Sequence, residues 1–393
     1  MPAPARARLL VLASTFPARP GDGTPGFVAD LSAALAEAFE TLVLVPRVPG
    51  SVADELQDGY RIHRFRYFFR RWEDLAHGAI LENVRSRRSR LVQVPAFAVA
   101  EVLAVRRAIR GFDPHVLHVH WIVPQGMAAL VAARGRPWVL TTLGGDIYAL
   151  DTPPWRAVKR AVIRQAAAMT VMNADMARRA MSLGMPADRL HVMPMGYDTA
   201  RIARAGQGAA VVRGRILFGG RLVEKKGVEV LLDALAQLGP DLEWSLDIVG
   251  DGPLRGSLEA RAGNLHGRVR FLGQQGADAL ARMWHECEIA VFPSVPARSG
   301  DQDGLPVALL EAMAAGRAVV ASRIAGIDET IVDGVHGLLV PPGRAEPLAE
   351  ALRSLLTDAE LRERLGHSAA ERSEAYSMRT VARRYVELLR AQL

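Results

Sequence analysis

Short apolar runs alternate with helix-like segments twice along this chain, and this repeated alternation restricts the folds open to it. Five runs lie in the first half and five more after residue 210. Apolar runs of four or five residues, separated by helical patterns, are typical of the buried strands of parallel sheets. The sequence therefore predicts an α/β chain with two doubly wound, Rossmann-like domains. The predicted strands are Leu9–Ala13, Leu42–Val45, Val116–Val119, Val139–Thr142, Met169–Met172, Ile216–Gly219, Leu246–Val249, Val269–Leu272, Ile289–Phe292 and Ala318–Ala321.

A segment with no clear long period, Met193–Val212, separates the two predicted sheets. Its prolines and glycines are typical of a linker or hinge. A length of 393 residues suits two domains of ordinary size, and we expect one at residues 1–195 and the other at residues 196–376.

Hydropathy and cysteine content indicate the class of protein. Half of the residues are hydrophobic, yet no apolar run is long enough to cross a bilayer, so we do not expect an integral membrane protein. The apolar run Leu9–Ala13 follows two arginines but is too short for a signal peptide. The single cysteine, Cys287, excludes a disulfide framework, and we expect a buried structural thiol in a cytoplasmic protein.

Two carboxylates, Asp303 and Glu311, flank a Gly-Pro turn that leads into an apolar helix pattern. Pro306 suits the first helical position, and the amide groups of a helix start favour an anion. The pair could hold the hydroxyls of a sugar and a ribose around a diphosphate. An acidic loop that only caps a helix is the alternative interpretation.

The second informative motif is GGRLVEKKG, which follows a predicted strand and precedes a helix pattern. The chain has 49 basic residues but only three lysines, and two of the three, Lys225 and Lys226, are adjacent in this motif. A lysine pair in an arginine-rich chain indicates a need for compact point charges. Arg221 and Lys226 could both bind a diphosphate, whereas the alternative is a solvent-facing basic turn.

With these two motifs the chain resembles the retaining glycosyltransferases of family 4, the glycosyl transferases group 1, over nearly its whole length. The resemblance implies the GT-B architecture, in which two Rossmann-like domains face each other across a cleft. It implies that Arg221 and Lys226 bind the donor diphosphate and that Glu311 binds the ribose. It also implies that Asp303 and the backbone of residues 304–306 hold the donor sugar. These backbone positions are Gly304, Leu305 and Pro306.

The resemblance also implies roles for the domains. The first would bind the acceptor, the second would bind the donor, and a C-terminal helix at residues 377–393 would pack back on the first domain. Glycines at the ends of donor-side strands would line the donor site, and a loop at Thr15–Gly26 would close over the donor phosphates. The glycine positions are Gly26, Gly220, Gly250 and Gly252.

The sequence departs from the family pattern at two positions. Asp303 replaces the usual first glutamate of the E-x7-E motif, which leaves the identity of the donor sugar open. Leu143 stands where the family commonly has a histidine that approaches the donor sugar, so that role has no residue here.

On the acceptor side the sequence gives three candidate residues. Gly145 and Asp146 follow a predicted strand, where a backbone can approach a ligand and a carboxylate can bond a hydroxyl or cap a helix. His120 ends another strand and is a candidate acceptor contact, although buried histidines are more often packed and hydrogen-bonded.

Two arginine-rich segments of the first domain indicate possible macromolecular partners. Arg64–Trp72 interleaves arginines with aromatic residues, but no motif of nucleic-acid-binding proteins accompanies it, and we expect no nucleic-acid partner. Arg85–Arg110 has basic ends around an apolar middle interrupted by Pro95. It could contact an anionic membrane peripherally at its inner face, or it could be an ordinary core helix. A lipid-linked acceptor and the net charge of +7 agree with the first interpretation, although arginine-rich genomic composition explains that charge equally.

The resemblance implies a retaining hexosyltransferase, and because no metal-ligand cluster is evident in the sequence we expect it to be metal-independent. It would move a sugar from a nucleotide-diphosphate sugar to a hydroxyl of a glycan or lipid-linked acceptor in polysaccharide or glycolipid synthesis. The nucleotide sugar is a co-substrate, and no further cofactor or metal is expected. Alternatives are a catalytically silent nucleotide-sugar sensor or scaffold and, less well supported, a nucleotide-sugar epimerase. The spacing of VGDGPLRG does not fit the G-x-G-x-x-G of an oxidoreductase.

Overall fold

A computed structural model describes residues 6–19, 24, 26–76, 78, 80, 83–84, 87–265, 267–298 and 300–393. The chain divides into two compact units. The first comprises Met1–Met193 with Val381–Leu393, and the second comprises Pro194–Thr380. Each unit is built on a sheet of its own.

An eight-stranded sheet forms the centre of the first unit, with the strand order β3-β4-β2-β1-β5-β6-β7-β8. All neighbouring strands are parallel except β3 and β4, which form an antiparallel pair at one edge. The strands are β1 (Arg8–Leu12), β2 (Glu40–Pro46), β3 (Asp54–Gln57), β4 (Tyr60–Phe65), β5 (Val116–His120), β6 (Trp138–Thr141), β7 (Ala168–Val171) and β8 (Leu190–Val192).

Helices connect these strands, as parallel pairing requires. Those in the residues up to Met193 are α1 (Phe27–Ala36), α2 (Gln93–Phe112), α3 (Met127–Ala132), α4 (Gly145–Tyr148), α5 (Pro153–Gln165) and α6 (Ala174–Ser182). Short 3-10 turns occur at Arg70–Trp72, Arg88–Val92 and Ala187–Arg189, and Ile122–Gly126 forms a kinked turn.

The second unit contains a six-stranded, fully parallel sheet in the order β11-β10-β9-β12-β13-β14. Its strands are β9 (Arg215–Gly219), β10 (Ser245–Val249), β11 (Val269–Gly273), β12 (Ile289–Phe292), β13 (Ala318–Ser322) and β14 (Leu338–Val340). Successive side chains of β9 pack into different core clusters, Ile216 and Phe218 into one and Leu217 into the other. Both faces of the sheet are therefore covered, which explains the continuous apolar runs.

Helices of the second unit pack on both faces of its sheet. They are α7 (Thr199–Ala205), α8 (Val228–Leu235), α9 (Arg255–Ala262), α10 (Ala277–Glu286), α11 (Val307–Ala314), α12 (Ile327–Thr330), α13 (Ala345–Thr357) and α14 (Ala359–Ser373). Three 3-10 turns lie at Glu224–Lys226, Gly263–Leu265 and Glu374–Tyr376. The last helix, α15 (Met378–Arg390), starts in the second unit and belongs to the first from Val381 onward.

All ten predicted strands are present, and the prediction of two parallel α/β sheets is confirmed. The sequence pattern did not predict four further strands. Two of them, the edge strand β3 and its neighbour β4, read as mixed polar segments because polar residues alternate with apolar ones along them. The other two, β8 and β14, are only three residues long and also lie at sheet edges.

Three local predictions were wrong. The linker Met193–Val212 contains α7, whose first turn is capped by the Asp198 carboxylate accepting from the backbone N–H of Arg201. Pro95 does not interrupt α2, because it lies in the first turn, where its missing N–H leaves no helical hydrogen bond unmade. Pro306 precedes the first helical residue of α11 with ψ of 126°, so it is the N-cap.

Each sheet has one position from which the chain continues first to strands on one side and later to strands on the other side. We call this position the switch point. In the first unit this switch point lies between β1 and β5, and in the second it lies between β9 and β12. Ligands of doubly wound sheets bind beyond the carboxyl ends of strands at such points. The loops that follow β9 and β12 carry the two motifs identified in the sequence.

Candidate functional site

A lysine–aspartate ion pair joins the two loops at the switch point of the second sheet. Lys226 Nζ donates to Asp303 Oδ2 at 2.8 Å. Lys226 ends the 3-10 turn after β9, and Asp303 lies in the loop after β12. The structure thus places in contact two residues that the resemblance assigns to the donor site, and the pairing itself was not predicted.

Gly227 makes this arrangement possible. Its φ of +63° is a left-handed conformation that favours glycine, and a Cβ there would lie 1.9 Å from the carbonyl oxygen of Pro293. The loop after β9 therefore lies directly against the loop after β12. The backbone N–H of Val295 also donates to the carbonyl oxygen of Lys225 at 2.8 Å, which fixes the two lysines relative to β12.

The Asp303 carboxylate is almost fully buried, with 9% of its side chain exposed. Ser294 Oγ donates to Asp303 Oδ2 at 2.9 Å. Burial alone raises the pKa of the Asp303 carboxyl, but Lys226, Lys225 and Ser294 outweigh that effect and hold the pKa below its ordinary value of 3.8. Asp303 is therefore a buried carboxylate anion whose charge is balanced by lysine.

The neighbouring lysine forms a second pair that the sequence analysis did not assign. Lys225 Nζ lies 3.1 Å from Asp301 Oδ2 and 3.8 Å from Asp303 Oδ1. Two lysines and two aspartates thus alternate at the junction of the loops. The adjacent lysines and the Asp-x-Asp spacing were visible in the sequence, but the side-chain directions within two loops were not.

Tight backbone contacts shape the other side of the predicted donor site. The backbone N–H of Gly220 donates to the carbonyl oxygen of Val249 at 2.9 Å. Gly250 has φ of +130°, and a Cβ there would lie 1.9 Å from the carbonyl oxygen of Gly220. A Cβ at Gly252 would lie 2.4 Å from the carbonyl oxygen of Leu222. The predicted glycines therefore permit the loops after β9 and β10 to touch, and their predicted contact with a ligand stays a prediction.

The remaining predicted donor residues surround the start of α11. Gly304 and Leu305 are buried, Pro306 is partly buried, and Glu311 lies one turn into the helix with a partly exposed side chain. Arg221 is exposed on the loop after β9. The structure places these residues on the loops that hold the Lys226–Asp303 pair, and their roles stay predictions.

The predicted acceptor-side residues lie in the first unit, and their polar groups bond to the protein. Asp146 is buried, and its carboxylate accepts from the backbone N–H of Ile122 at 2.7 Å and from Thr142 Oγ1 at 2.6 Å. Burial raises the pKa of the Asp146 carboxyl, an effect that these hydrogen bonds only partly offset. Asp146 connects the turns after β5 and β6 in this structure. Gly145 is partly exposed at the start of α4.

Lys159 supports the same turn and was not identified from the sequence. Its ammonium is buried and donates to the carbonyl oxygens of Ile147 and Ala149. Burial lowers the pKa of Lys159, opposed by the nearby Asp146 and Asp151 carboxylates. All three lysines of the chain therefore take part in specific polar contacts.

His120, the residue predicted to contact an acceptor, is buried in this structure, with only 1% of its surface exposed. Its ring lies 4.2 Å from that of His118, whose Nε2 is 2.8 Å from Thr141 Oγ1. Tyr385 of α15 packs on His118 and shares a hydrogen bond with Thr170 at 3.0 Å. Burial lowers the pKa of His118 to about 3 and that of His120 well below its ordinary value, so both rings are neutral at neutral pH. The acceptor contact predicted for His120 stays a prediction.

Gly26 precedes α1, and its carbonyl oxygen accepts from the backbone N–H of Asp30 at 2.8 Å. Most of the predicted phosphate loop at Thr15–Gly26 is described, but residues 20–23 and 25 lie outside the described residues. The contact predicted for Gly26 stays a prediction.

Within the described part of the chain, no group of three or more His, Cys, Asp or Glu residues is placed to hold a metal ion. No helix in that same part combines the length and the apolar character that crossing a membrane requires. The expectations about metal and about membrane contact are not tested by these two observations.

Comparison with known proteins gives matches to both units. A model described as Glycosyltransferase Family 4 matches residues 22–201, and one described as Glycosyl transferases group 1 matches residues 213–358. Phosphatidyl-myo-inositol mannosyltransferase of Mycolicibacterium smegmatis is 34% identical over 294 residues, which is 73% of each chain. The chain spans about half the length of the first curated relatives it matches, namely 44%, 57% and 43%.

Two solved structures share the fold over their whole length. Sucrose-phosphate synthase from Thermosynechococcus elongatus has a TM-score of 0.78 at 22% identity, with 98% of this chain and 99% of that chain covered. Anabaena HepE in complex with UDP-glucose has a TM-score of 0.72 at 20% identity, with 98% and 99% covered. At such low identities the likeness concerns the fold alone.

Proposed function

The chain belongs to family 4 of the glycosyltransferases and has the GT-B fold, and on this premise we propose that it transfers a hexosyl group from a nucleotide-diphosphate sugar. The acceptor is a hydroxyl of a glycan or of a lipid-linked glycan, in polysaccharide or glycolipid synthesis. The proposal includes a cytoplasmic setting, with which the single buried thiol of Cys287 agrees.

The observation that carries this proposal is the Lys226–Asp303 pair at the switch point of the second sheet. A partly buried ammonium beside a helix start is suited to the diphosphate of a leaving nucleotide. A buried carboxylate next to it is suited to accept hydrogen bonds from sugar hydroxyls. The relative that binds a nucleotide sugar in its solved structure, Anabaena HepE, shares the fold and supports this class of donor.

In the proposed reaction the bond between the anomeric carbon and the diphosphate breaks, and a bond to the acceptor oxygen forms. Lys226, Arg221 and the amide groups at the start of α11 balance the charge of the departing nucleoside diphosphate. The acceptor proton passes to an oxygen of that diphosphate on the same face of the sugar. Attack from that face retains the anomeric configuration and requires no divalent ion in this proposal.

A catalytically silent nucleotide-sugar sensor is the second candidate, because Leu143 and Asp303 stand where the family commonly has histidine and glutamate. It predicts nucleotide binding without turnover. An epimerase, by contrast, would convert one nucleotide sugar into another without any acceptor.

A thermal-shift screen against UDP, GDP, ADP and their sugar conjugates is the first test, since a ligand that binds only the folded state raises the melting temperature. We expect one nucleotide series to raise it. The conjugate with the largest shift is then incubated with glycan and lipid-linked acceptors, with and without EDTA. The anomeric configuration of the product is read by NMR. Absence of any shift would refute the donor site, and a shift without product would favour the sensor.

A further inference from the structure

One face of the long helix α2 exposes apolar side chains to solvent. Val99 and Leu103 of α2 are exposed, as is Val92, the N-cap that precedes the helix, and Val92 and Val99 have 70% and 61% of their surface accessible. Their spacing of seven and four residues places them along one line of the helix, and Arg110 continues that line. An unbroken apolar line on the outside of a helix is unusual for a protein surface that contacts only water.

The opposite side of α2 already supplies the packing that the first unit requires. Phe97, Ala104 and Val105 are buried there, and Phe97 contacts the rings of Phe65 and Tyr67. The helix is therefore fixed to its own sheet by one face while the second apolar face stays outside. If α2 were an ordinary core helix with solvated ends, its buried face would be explained but its exposed apolar face would not.

A segment rich in aromatic residues lies beside the start of α2. Asp74 accepts from Arg90 Nε at 2.9 Å and from Gln93 Nε2 at 2.9 Å, which ties the segment at residues 66–76 to the helix start. Phe69 and Trp72 of this segment are exposed and pack edge to face, with ring centroids 6.0 Å apart. Tryptophan with an exposed ring is suited to the boundary between head groups and acyl chains.

Arginines border these apolar side chains. The guanidinium of Arg71 lies 4.5 Å from the ring centroid of Trp72. Six exposed arginines in the segment and along α2 form no ion pair with an acidic side chain of the described residues. They are Arg70, Arg71, Arg87, Arg88, Arg107 and Arg110. The acidic groups nearby, Glu73 and Asp74, already bond to the protein, so the border has a positive charge.

We propose that this surface, which we call the α2 face, docks on a bilayer that contains anionic phospholipids. The α2 face comprises Phe69, Trp72, Leu91, Val92, Val99 and Leu103 with the six arginines around them. The apolar side chains enter the head-group boundary, and the guanidinium groups bind lipid phosphates in the fork geometry that arginine favours. This inference goes beyond sugar transfer and would hold even if the proposed donor or acceptor were wrong.

Charge complementarity selects a bilayer over a second copy of the chain. Two copies that met through the α2 face would bring their arginine borders together, and like charges at an interface disfavour association. An anionic bilayer instead offers both an apolar layer and phosphate oxygens to the same surface.

Sedimentation of the full chain with vesicles tests the proposal. Vesicles of phosphatidylcholine are compared with vesicles of equal parts phosphatidylcholine and phosphatidylglycerol. We expect binding to the anionic vesicles that weakens at high salt. The double variant R70Q/R71Q should weaken binding at least about tenfold, since each arginine near an anionic surface contributes about 1 kcal/mol. Val99→Asp should weaken it by a similar factor by placing a charge in the apolar line.

Matched controls lie on the second unit. Val332→Asp changes a valine of similar exposure, and R344Q/R353Q removes two exposed arginines, so neither should alter vesicle binding. Circular dichroism melts confirm that each variant is folded. The proposal would be overturned if the protein did not bind vesicles or bound uncharged vesicles equally well. It would also be overturned if the control variants bound anionic vesicles as weakly as the α2 variants do. A Val99→Asp variant that changes the oligomeric mass in light scattering while it binds vesicles as well as the wild type does would overturn it as well.

The vesicle experiment is independent of nucleotide binding. The proposed transferase function is tested by thermal shift in solution, where no membrane is present. Failure of one experiment therefore leaves the other interpretable.

Discussion

Lys226 Nζ lies 2.8 Å from Asp303 Oδ2, although 77 residues separate the two in sequence. The residues follow β9 and β12, which are adjacent parallel strands, so the sheet itself determines that the loops meet. In this state the lysine proposed for the diphosphate already holds an anion. A nucleotide diphosphate would therefore compete with Asp303 for Lys226, and the carboxylate it displaces would become available to the sugar.

Replacing Lys226 by alanine removes the partly buried cation from the proposed diphosphate site. We expect the affinity for a nucleoside diphosphate to fall about tenfold to a hundredfold, because a hydrogen bond between charged groups contributes about 1.5–3 kcal/mol. Isothermal titration calorimetry measures this affinity. Arg344→Ala, which removes an exposed cation of the same unit, is the control and should leave the affinity unchanged. Wild-type affinity in Lys226→Ala would show that the lysine serves only the fold.

Asp303→Asn tests the competition between carboxylate and diphosphate. Because the amide has no charge, Lys226 is released, and we expect the nucleoside diphosphate to raise the melting temperature more than it does in the wild type. The extra gain from the sugar conjugate should shrink, since the hydroxyl acceptor is weaker. Asp303→Glu keeps the charge and should preserve that gain. If Asp303→Asn and the wild type show the same two shifts, Asp303 neither competes with the phosphate nor binds the sugar.

The predictable part of the fold and of the site has a simple physical origin. Parallel sheets put the carboxyl ends of their strands at one edge, so two motifs that each follow an apolar strand of one sheet lie at the same edge. Lys226 and Asp303 meet there. The second pair, Lys225 with Asp301, depends on side-chain directions within loops, for which the sequence has no periodic signal.

The same reasoning explains what the sequence did not reveal in the first unit. His120 alternates with His118 along β5, and alternation alone does not tell which face of a sheet is covered. The packing of Tyr385 from α15 against His118 closes that face, and this contact joins residues far apart in the chain. Lys159 belongs to no motif of the sequence, yet its ammonium is buried against two carbonyl oxygens.

Glu311→Gln tests the proposed ribose contact. The substitution keeps the size of the side chain and removes its charge, so a hydrogen bond from a ribose hydroxyl should weaken. We expect about a tenfold loss of nucleotide affinity, with a melting temperature of the free protein close to that of the wild type. Competition binding with a nucleoside and with its deoxyribose analogue measures the contact. Glu346→Gln in the first turn of α13 is the control, and a Glu311→Gln variant that still discriminates ribose from deoxyribose would refute the assignment.

A buried glutamate in α2 makes the stability of the first unit depend on pH. Glu101 Oε1 accepts from Gln125 Nε2 at 3.0 Å, and Glu101 Oε2 has no partner among the described residues. Burial raises the pKa of this carboxyl from 4.5 to about 8, and the hydrogen bond from Gln125 offsets only part of that rise. Between pH 4.5 and about pH 8 the Glu101 carboxyl therefore keeps its proton in the folded protein, whereas the unfolded chain has released it.

The sign of this linkage follows from the raised pKa. Since the folded state binds the extra proton, the contribution of Glu101 to the free energy of unfolding is complete below pH 4.5 and is lost as the pH rises to about 8. Glu101→Gln mimics the neutral acid, and we expect it to stabilise the protein at about pH 8 by on the order of 3 kcal/mol relative to the wild type. Urea unfolding at several pH values measures the difference. The exposed Glu37→Gln should leave the pH profile of the wild type intact, and a Glu101→Gln profile parallel to it would mean that Glu101 is already ionised in the folded protein.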